Sequence, residues 1–213
     1  MVTYCALFRT SERDPWRMHN HTLSLIDRRK MNFRRIHITG ASGTGTTTLG
    51  RALASHLGYA FLDADDYFWK STNPPFQTKR TREDRLRMVA DARSRSPHCI
   101  LSGSIVGWGR SVEDCFDLIV YLYIPSTVRL ARLREREMSR YGRINQGFMD
   151  WAARYDDGDL KVRSRLLHET WLQERGCDVL RLEGDLSVAD RIETVLRKEP
   201  NPALQPTPLG RRG

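Results

Sequence analysis

The sequence predicts an α/β fold in which a five-stranded parallel sheet is covered by helices on both faces. Short apolar runs alternate with segments of helical spacing over most of the chain. One of these runs, Leu118 to Ile124, is continuously apolar, which is typical of a strand buried on both faces. A glycine-rich loop, Gly40 to Thr48, lies between the first apolar run and the first helical segment.

The strands are predicted from apolar runs bounded by polar residues or turn residues. Successive runs are far enough apart for a helical crossover, which parallel pairing requires. The predicted strands are residues 36–38, 59–62, 99–101, 118–124 and 179–182.

The helices are predicted from their apolar spacing and from start and stop signals. Leu49, Leu53 and Leu57 recur every four residues after the glycine-rich loop. Thr81 and Asp84 form a capping pair at the start of a later helix. The predicted helices are residues 49–57, 81–93, 126–141, 147–155, 160–175 and 187–196.

The two ends of the chain differ from its body. Residues 1–30 are polar and irregular, and we expect either a disordered extension or a start assigned too early, with Met31 as the true start. Residues 199–213 are rich in proline, which predicts a disordered tail. Residues 31–198 are predicted to form one domain with a lid at about residues 139–148.

Charge and composition narrow the class of partner. The net charge is +9, but residues 1–30 and 197–213 carry +3 each, so only +3 remains for the body, which disfavours a basic nucleic-acid face. No apolar run approaches the ~18 residues of a membrane span. The four cysteines lack metal-ligand or redox spacing, so we expect reduced thiols in a cytoplasmic protein. A monomer or a dimer that acts on a small molecule is expected.

The glycine-rich loop has the pattern of a phosphate-binding loop. Gly40 and Gly45 fit the glycines of G-x-x-x-x-G-K-[ST], and Thr47 fits the position of the Mg²⁺ ligand. The lysine position holds Thr46, which offers a hydroxyl instead of a positive charge. Backbone N–H groups and the helix N-terminus could still hold phosphate. The residues predicted to bind ATP are Gly40, Ala41, Ser42, Gly43, Thr44, Gly45, Thr46, Thr47 and Thr48.

Three carboxylates, Asp63, Asp65 and Asp66, follow the second predicted strand. Ligands of open parallel sheets bind at the carboxyl ends of the strands, so these side chains should lie beside the loop. One carboxylate could hold Mg²⁺ through water, and another could accept the proton of an attacking hydroxyl. A helix cap or a turn is the alternative interpretation.

Two further segments could contribute to an acceptor pocket. Small residues at 102–104 would permit a ligand to approach the backbone, although an ordinary turn explains them equally well. Aromatic and basic side chains after Asp66 could wall and charge the pocket, or could simply pack. These aromatic and basic residues are Phe68, Trp69, Phe76, Arg80 and Arg82.

The helix predicted from Ser126 carries many arginines. Arg132, Arg136 and Arg140 recur every four residues and therefore share one face. Interleaved glutamates would suit a solvated, salt-bridged face. Alternatively, arginines on a closing lid could neutralise phosphates and replace the missing lysine.

These segments resemble a known superfamily. Ile38 to Tyr59, continuing to Asp63-Ala64-Asp65, resembles the opening of shikimate kinase and of adenylate-kinase-like nucleoside monophosphate kinases. The strand from Leu118 and the arginine-rich helix after it resemble the strand and the segment leading to the lid in the same kinases. The chain also resembles bacterial proteins described only as P-loop or AAA-family ATPases.

The resemblance covers about residues 33–196 and implies a three-layer P-loop NTPase fold with sheet order 2-3-1-4-5 and a small helical lid. It also implies ATP and Mg²⁺ as co-substrates. It places Thr47 and Asp63 near Mg²⁺ and Asp65 on the acceptor, with Arg132 and Arg136 on the lid side. Asp63, Asp65, Arg132 and Arg136 are therefore the predicted catalytic residues.

Three functional hypotheses follow. The leading one is an ATP-dependent kinase whose acceptor is a nucleotide, a nucleoside or a small hydroxylated metabolite. The second is a nucleotide-binding regulator without turnover, in which Thr46 marks the loss of catalysis. The third is a polynucleotide 5′-kinase, which the arginines suggest and which would bind nucleic acid in a salt-sensitive manner.

Overall fold

The computed structural model describes residues 31–160 and 163–204. The extension predicted over residues 1–30 lies outside this part of the chain. So do residues 205–213 of the predicted tail. Within that tail, Pro202–Leu204 forms a 3₁₀ turn, and the backbone N–H of Asn201 donates to Asp178 at 2.9 Å.

The described residues form a five-stranded sheet in the order β2-β3-β1-β4-β5, in which every neighbouring pair is parallel. The predicted fold class and strand order are confirmed. The central strand β1 follows Met31 closely, and its last residue opens the glycine-rich loop. The strands are β1 (Arg35–Gly40), β2 (Ala60–Asp63), β3 (Cys99–Ser102), β4 (Leu118–Tyr123) and β5 (Asp178–Glu183).

Eight α-helices connect or follow the described strands. Thr81 caps α3 by accepting from the backbone N–H of Asp84 at 3.1 Å, as the sequence predicts. The helices are α1 (Thr46–Leu57), α2 (Ala64–Phe68), α3 (Arg82–Arg95), α4 (Arg110–Glu113), α5 (Ser126–Tyr141), α6 (Gln146–Ala153), α7 (Arg165–Gln173) and α8 (Val188–Leu196).

One helical prediction needs correction, and two short helices were missed. The helix predicted over 160–175 begins later, at α7, because the Ser164 side chain accepts from the backbone N–H of Leu167 and caps it there. The short helices α2 and α4 were not predicted, since four or five residues are too few to show a helical period.

Two apolar clusters cover the two faces of the sheet. Alternate residues of each strand enter opposite clusters, so Ile36 and Ile38 face one side while His37 faces the other. The first cluster packs α1 and α8 on the sheet, and the second includes Trp171 of α7 and Val89 of α3. A third, smaller cluster joins α5 to α6 through Leu133, Met149 and Ala152.

The predicted lid region, about residues 139–148, spans the end of α5 and the start of α6. Gly142, in the left-handed region at φ 66°, ends α5, and Asn145 caps α6. Among the described residues, no helix is both long enough and apolar enough to cross a membrane.

Candidate active site

The glycine-rich loop runs from the end of β1 to the start of α1. Gly43 and Gly45 have φ values of 87° and 89°, which side-chain-bearing residues rarely adopt. The Thr44 hydroxyl donates to the carbonyl oxygen of Ala41 at 2.8 Å and closes the turn from inside. The sequence therefore folds here into a tight and internally braced loop.

Close packing makes glycine necessary at two positions of the loop. A Cβ atom on Gly40 would lie 2.5 Å from the carbonyl oxygen of Leu122 in β4. A Cβ atom on Gly43 would lie 2.7 Å from the carbonyl oxygen of Arg129 in α5. The loop is thus held against the neighbouring strand and against the arginine-rich helix.

The N-terminus of α1 has the properties of an anion site. Its N-cap residue is Gly45, so no side chain satisfies the backbone N–H groups of the first turn. The first turn contains no acidic residue that would occupy the position of an anion. Free N–H groups and the positive end of the helix dipole fit a phosphate group, and so the loop fits the triphosphate of ATP.

Thr47 and Asp63 meet at the carboxyl edge of the sheet. The Thr47 hydroxyl lies 3.4 Å from a carboxylate oxygen of Asp63, and the Ser102 hydroxyl lies 3.5 Å from that of Thr47. The described residues contain no group of three His, Cys, Asp or Glu side chains suited to a metal. A hydroxyl and one carboxylate nevertheless fit Mg²⁺, which commonly keeps several waters and binds substrate phosphates.

Asp65 lies next to this pair, in the first turn of α2. Its backbone N–H donates to the other carboxylate oxygen of Asp63 at 3.1 Å. Loss of hydration in the cleft raises the pKa of the Asp65 carboxyl, and the negative charges of Asp63 and Asp66 add to this. The residue is nevertheless exposed, so the effect of hydration loss is limited, and the two neighbouring charges support the same direction. The guanidinium groups of Arg163 and Arg136 act in the opposite direction.

The structure separates the two predicted catalytic arginines of α5. Arg136 lies over the ring of Phe148, 5.7 Å from its centroid, and its charge acts on Asp65. Arg132 instead pairs with Asp185, which lies between β5 and α8. Arg136 is therefore near Asp65, whereas Arg132 lies beside Asp185.

Three arginines that were not assigned to the site contact the glycine-rich loop. Arg129 donates to the carbonyl oxygen of Ser42 at 3.4 Å, and Arg191 donates to that of Thr44 at 2.8 Å. Arg163 donates to the Ser42 hydroxyl at 3.4 Å.

One of these three arginines could have been found from the sequence. Arg129 lies four residues before Leu133, on the buried face of α5. Arg132 and Arg136, the two arginines that the sequence predicts for the site, share the adjacent face of the same helix. Arg163 and Arg191 are more than 100 residues from the loop in sequence, and no local pattern identifies them.

A cleft of about 350 Å³ opens beside Asp65. Of the predicted pocket residues, Trp69, Phe76 and Arg80 line it, with the Trp69 and Phe76 rings 6.0 Å apart. Phe68 instead stacks on Trp108. Arg82 donates to the carbonyl oxygen of Trp108. The other lining residues are Asp66, Lys70, Ser71, Thr72 and Pro75.

A buried chain of hydrogen bonds starts at the end of β3. His168 lies 3.2 Å from the Ser104 hydroxyl through Nε2 and 2.7 Å from the Tyr155 hydroxyl through Nδ1. The Tyr155 hydroxyl contacts that of Tyr121 at 2.8 Å. Burial, and then the charge of Arg163, lowers the pKa of His168 to about 3, so its imidazole is neutral at physiological pH.

The fold and the loop together define the class of protein. A glycine-rich loop between the first strand and first helix of a parallel sheet in the order β2-β3-β1-β4-β5 is the arrangement of a P-loop protein of the kinase type. The carboxylates at the end of β2 lie beside that loop, at the edge where ligands of such sheets bind.

The chain belongs to the AAA domain family, whose model matches residues 36–148. It is 41% identical over 173 residues to the uncharacterized protein YqaC of Bacillus subtilis (strain 168), which covers 76% of this chain and 96% of that protein. It is 32% identical over 114 residues to the cytidylate kinase of Methanocorpusculum labreanum, covering 48% of this chain and 63% of that kinase.

Among solved structures, the fold is similar to that of shikimate kinase from Acinetobacter baumannii in complex with shikimate. The TM-score is 0.53 and the identity is 22%, with 78% of this chain and 92% of that chain covered. The similarity supports the fold. The predicted membership of the P-loop kinase superfamily is confirmed.

Proposed function

We propose that this protein is a kinase that transfers the γ-phosphoryl group of Mg²⁺-bound ATP to a hydroxyl group of a small molecule. The acceptor is a nucleotide, a nucleoside or a small hydroxylated metabolite. The observation that carries the proposal is the convergence of the loop, the Thr47–Asp63 pair and Asp65 at one edge of the sheet, beside an open cleft.

Each residue near the loop has a distinct role in the proposal. The loop backbone and the α1 N-terminus hold the phosphates. Thr47 and Asp63 hold Mg²⁺, which would shield the charge of the phosphates when bound. Arg136 acts on Asp65 from the lid side, and Arg132 lies beside Asp185.

Asp65 orients the acceptor hydroxyl. The hydroxyl oxygen attacks the γ-phosphorus and forms the new O–P bond while the bond from that phosphorus to the β-phosphate oxygen breaks. The bonding electron pair leaves with ADP, and the hydroxyl proton passes to the Asp65 carboxylate. The raised pKa of Asp65 suits this role, because a carboxylate of higher pKa is a stronger base.

The cleft supports a polar acceptor with a flat or apolar face. Arg80 and Lys70 supply positive charge beside the carboxylates of Asp65 and Asp66, and Trp69 and Phe76 supply aromatic surface. The curated relatives named above include a cytidylate kinase, and the similar solved structure is a shikimate kinase. Both names are consistent with small hydroxylated acceptors.

The proposal is tested by incubating the full chain with Mg²⁺, ATP and a panel of nucleoside monophosphates, nucleosides and hydroxy acids. ³¹P NMR should show ADP together with a new phosphate ester for at least one acceptor. The Asp65→Asn variant should lose that product. The Asp91→Asn variant should keep it, because Asp91 pairs with Arg95 on exposed surface near the end of α3.

The alternative is a nucleotide-binding protein without turnover, and Thr46 is the observation that favours it. It predicts binding of ATP with no phosphate ester for any acceptor. A cytoplasmic location and a monomeric or dimeric state belong to the main proposal. The free thiols of Cys99, Cys115 and Cys177 support a reducing compartment.

A further inference from the structure

We infer that Arg163 supplies the positive charge that the loop lacks at Thr46, by contacting the phosphoryl group that is transferred. This inference rests on the proposed kinase function and assigns a catalytic residue to it. Arg163 lies just before α7, separated from the loop by more than 100 residues in sequence.

The position of Arg163 supports the inference. Its guanidinium donates to the Ser42 hydroxyl at 3.4 Å, and its charge acts on the carboxyl of Asp65. Ser42 belongs to the phosphate loop, and Asp65 is the proposed base. A phosphoryl group that passes from the loop to an acceptor beside Asp65 must cross the region that Arg163 borders. Trp151 flanks the guanidinium, 5.9 Å from it.

Among the described residues, no carboxylate lies within ion-pair distance of the Arg163 guanidinium, and the side chain is half-buried. The more distant carboxyl of Asp65 offsets only part of the cost of burying this charge, since burial still lowers the pKa of Arg163. An anionic phosphoryl group placed beside it would offset that cost, and guanidinium groups recognise phosphate through paired N–H donors.

The other two arginines at the loop are committed to structural contacts. Arg129 is fully buried and donates to Asp156 at 2.9 Å as well as to three carbonyl oxygens. Arg191 is 3% exposed and donates to the carbonyl oxygens of Thr44 and Gly184. Both hold the loop through its backbone carbonyl groups.

The two α5 arginines predicted on the lid side also have partners. Arg132 pairs with Asp185, and Arg136 lies 3.9 Å from a carboxylate oxygen of Glu137. Arg163 therefore remains as the guanidinium that both contacts a loop side chain and faces the proposed base.

The test compares the affinities of the full chain for ATP and ADP, each with Mg²⁺, by calorimetry. The ratio of the two affinities reports contacts to the γ-phosphate and needs no acceptor. The parent chain should prefer ATP. The Arg163→Gln variant should lose about tenfold to a hundredfold in that ratio, the effect expected for a hydrogen bond to a charged group. The Arg163→Lys variant should keep part of the preference.

Adding Thr46→Lys to Arg163→Gln should restore the preference, because the lysine returns a charge to the loop itself. Arg165→Gln is the matched control, since Arg165 lies two residues away and its guanidinium covers the ring of Tyr123 at 4.2 Å. It should leave the ratio unchanged. Circular dichroism melting of every variant checks that it is folded.

The outcomes separate the inference from the proposed function. If the parent prefers ATP and folded Arg163→Gln keeps the same preference, the inference is wrong and the kinase proposal stands. If the parent binds neither nucleotide, the proposed function fails and the inference fails with it. If the ratio of ATP affinity to ADP affinity falls as much in Arg165→Gln as in Arg163→Gln, a specific role for Arg163 is also contradicted.

Discussion

The Thr47 hydroxyl lies 3.4 Å from a carboxylate oxygen of Asp63, which joins the first turn of α1 to the end of β2. Strand β3 separates β2 from β1 in the sheet, so this contact spans two strand positions. Ser102 at the end of β3 fills the space between, with its hydroxyl 3.5 Å from that of Thr47. The sheet order thus brings a loop hydroxyl and a distant carboxylate to one point.

The first prediction concerns Thr47 and Mg²⁺. We expect Thr47→Val to remove most of the gain in ATP affinity that Mg²⁺ provides, because the hydroxyl is a proposed ligand of the ion. Thr47→Ser keeps a hydroxyl and should retain the gain. Calorimetric titration with and without Mg²⁺ measures both variants, and an unchanged gain in Thr47→Val would remove Thr47 from the metal site.

The second prediction concerns the pH dependence that Asp65 gives to phosphoryl transfer. The base is active when ionised, so kcat/KM should rise with pH through the raised pKa of Asp65. That rise should lie above the value of about 3.9 for an exposed aspartate. Asp65→Asn should lower kcat by about 10²- to 10⁴-fold while leaving ATP affinity unchanged. A full rate in Asp65→Asn would assign the proton to another group.

The third prediction concerns the glycine at the bend of the loop. Gly43→Ala should abolish tight ATP binding and destabilise the fold by about 1–3 kcal/mol, because its Cβ would lie 2.7 Å from the carbonyl oxygen of Arg129 at φ 87°. Gly176→Ala is the control, since nothing lies within 4 Å of its Cβ position. Equal effects in the two variants, measured by calorimetry and urea unfolding, would argue against a tightly packed loop.

The fourth prediction concerns the buried ion pair behind the loop. Arg129→Met should cost about 3 kcal/mol of unfolding free energy, since it leaves the partly exposed Asp156 without its charged partner and three carbonyl oxygens without a donor. Arg134→Met on the exposed side of the same helix should cost little. Urea denaturation measures both, and the double variant Arg129→Met/Asp156→Asn should cost less than the two single changes added together.

The fifth prediction concerns stability in mild acid. Burial lowers the pKa of His37 from 6.5 to about 4, and its Nε2 has no partner among the described residues. The contact of its Nδ1 with the carbonyl oxygen of Leu101 at 3.0 Å acts in the opposite direction but is the smaller effect. Between pH 6.5 and about 4, the unfolded chain therefore binds a proton at His37 that the folded chain does not bind. The contribution of His37 to stability should be complete above pH 6.5 and should fall by up to roughly 1.4 kcal/mol per pH unit as the pH drops toward 4.

His37→Phe should reduce this dependence, because a phenyl ring fills a similar space between Phe116 and Trp171 without a titrating group. His98→Asn, on exposed surface, should leave it unchanged. Urea unfolding at several pH values from 7 to about 4.5 gives the slopes. An identical slope in His37→Phe and in the parent would assign the acid sensitivity to other groups.

Most of the fold could be predicted because its signals are local. The continuous apolar run of β4, the capping of α3 by Thr81 and the glycines of the loop each depend on neighbouring residues. The strand order came from the resemblance, since the apolar runs alone do not specify which strands pair. Helix α7 starts later than predicted because a serine cap overrides helical spacing.

The site could be predicted only where its residues follow strand ends. Asp63 and Asp65 can be predicted because β2 ends there, and the loop can be predicted from its pattern. Arg163 and Arg191 approach the loop from the far end of the chain, and a sequence without an alignment contains no sign of that contact. The spacing of arginines on α5 predicts Arg132 as a site residue, but tertiary packing places it beside Asp185.

Calorimetric titration of the full chain with ATP, with and without Mg²⁺, tests the central claim most directly. The Thr46→Lys variant is titrated in parallel. We predict that the parent binds ATP, that Mg²⁺ strengthens the binding, and that Thr46→Lys gains little because Arg163 already supplies the charge. If the parent chain binds no ATP while the Thr46→Lys variant does, the account is contradicted. The loop of the parent would then have lost its capacity to bind ATP.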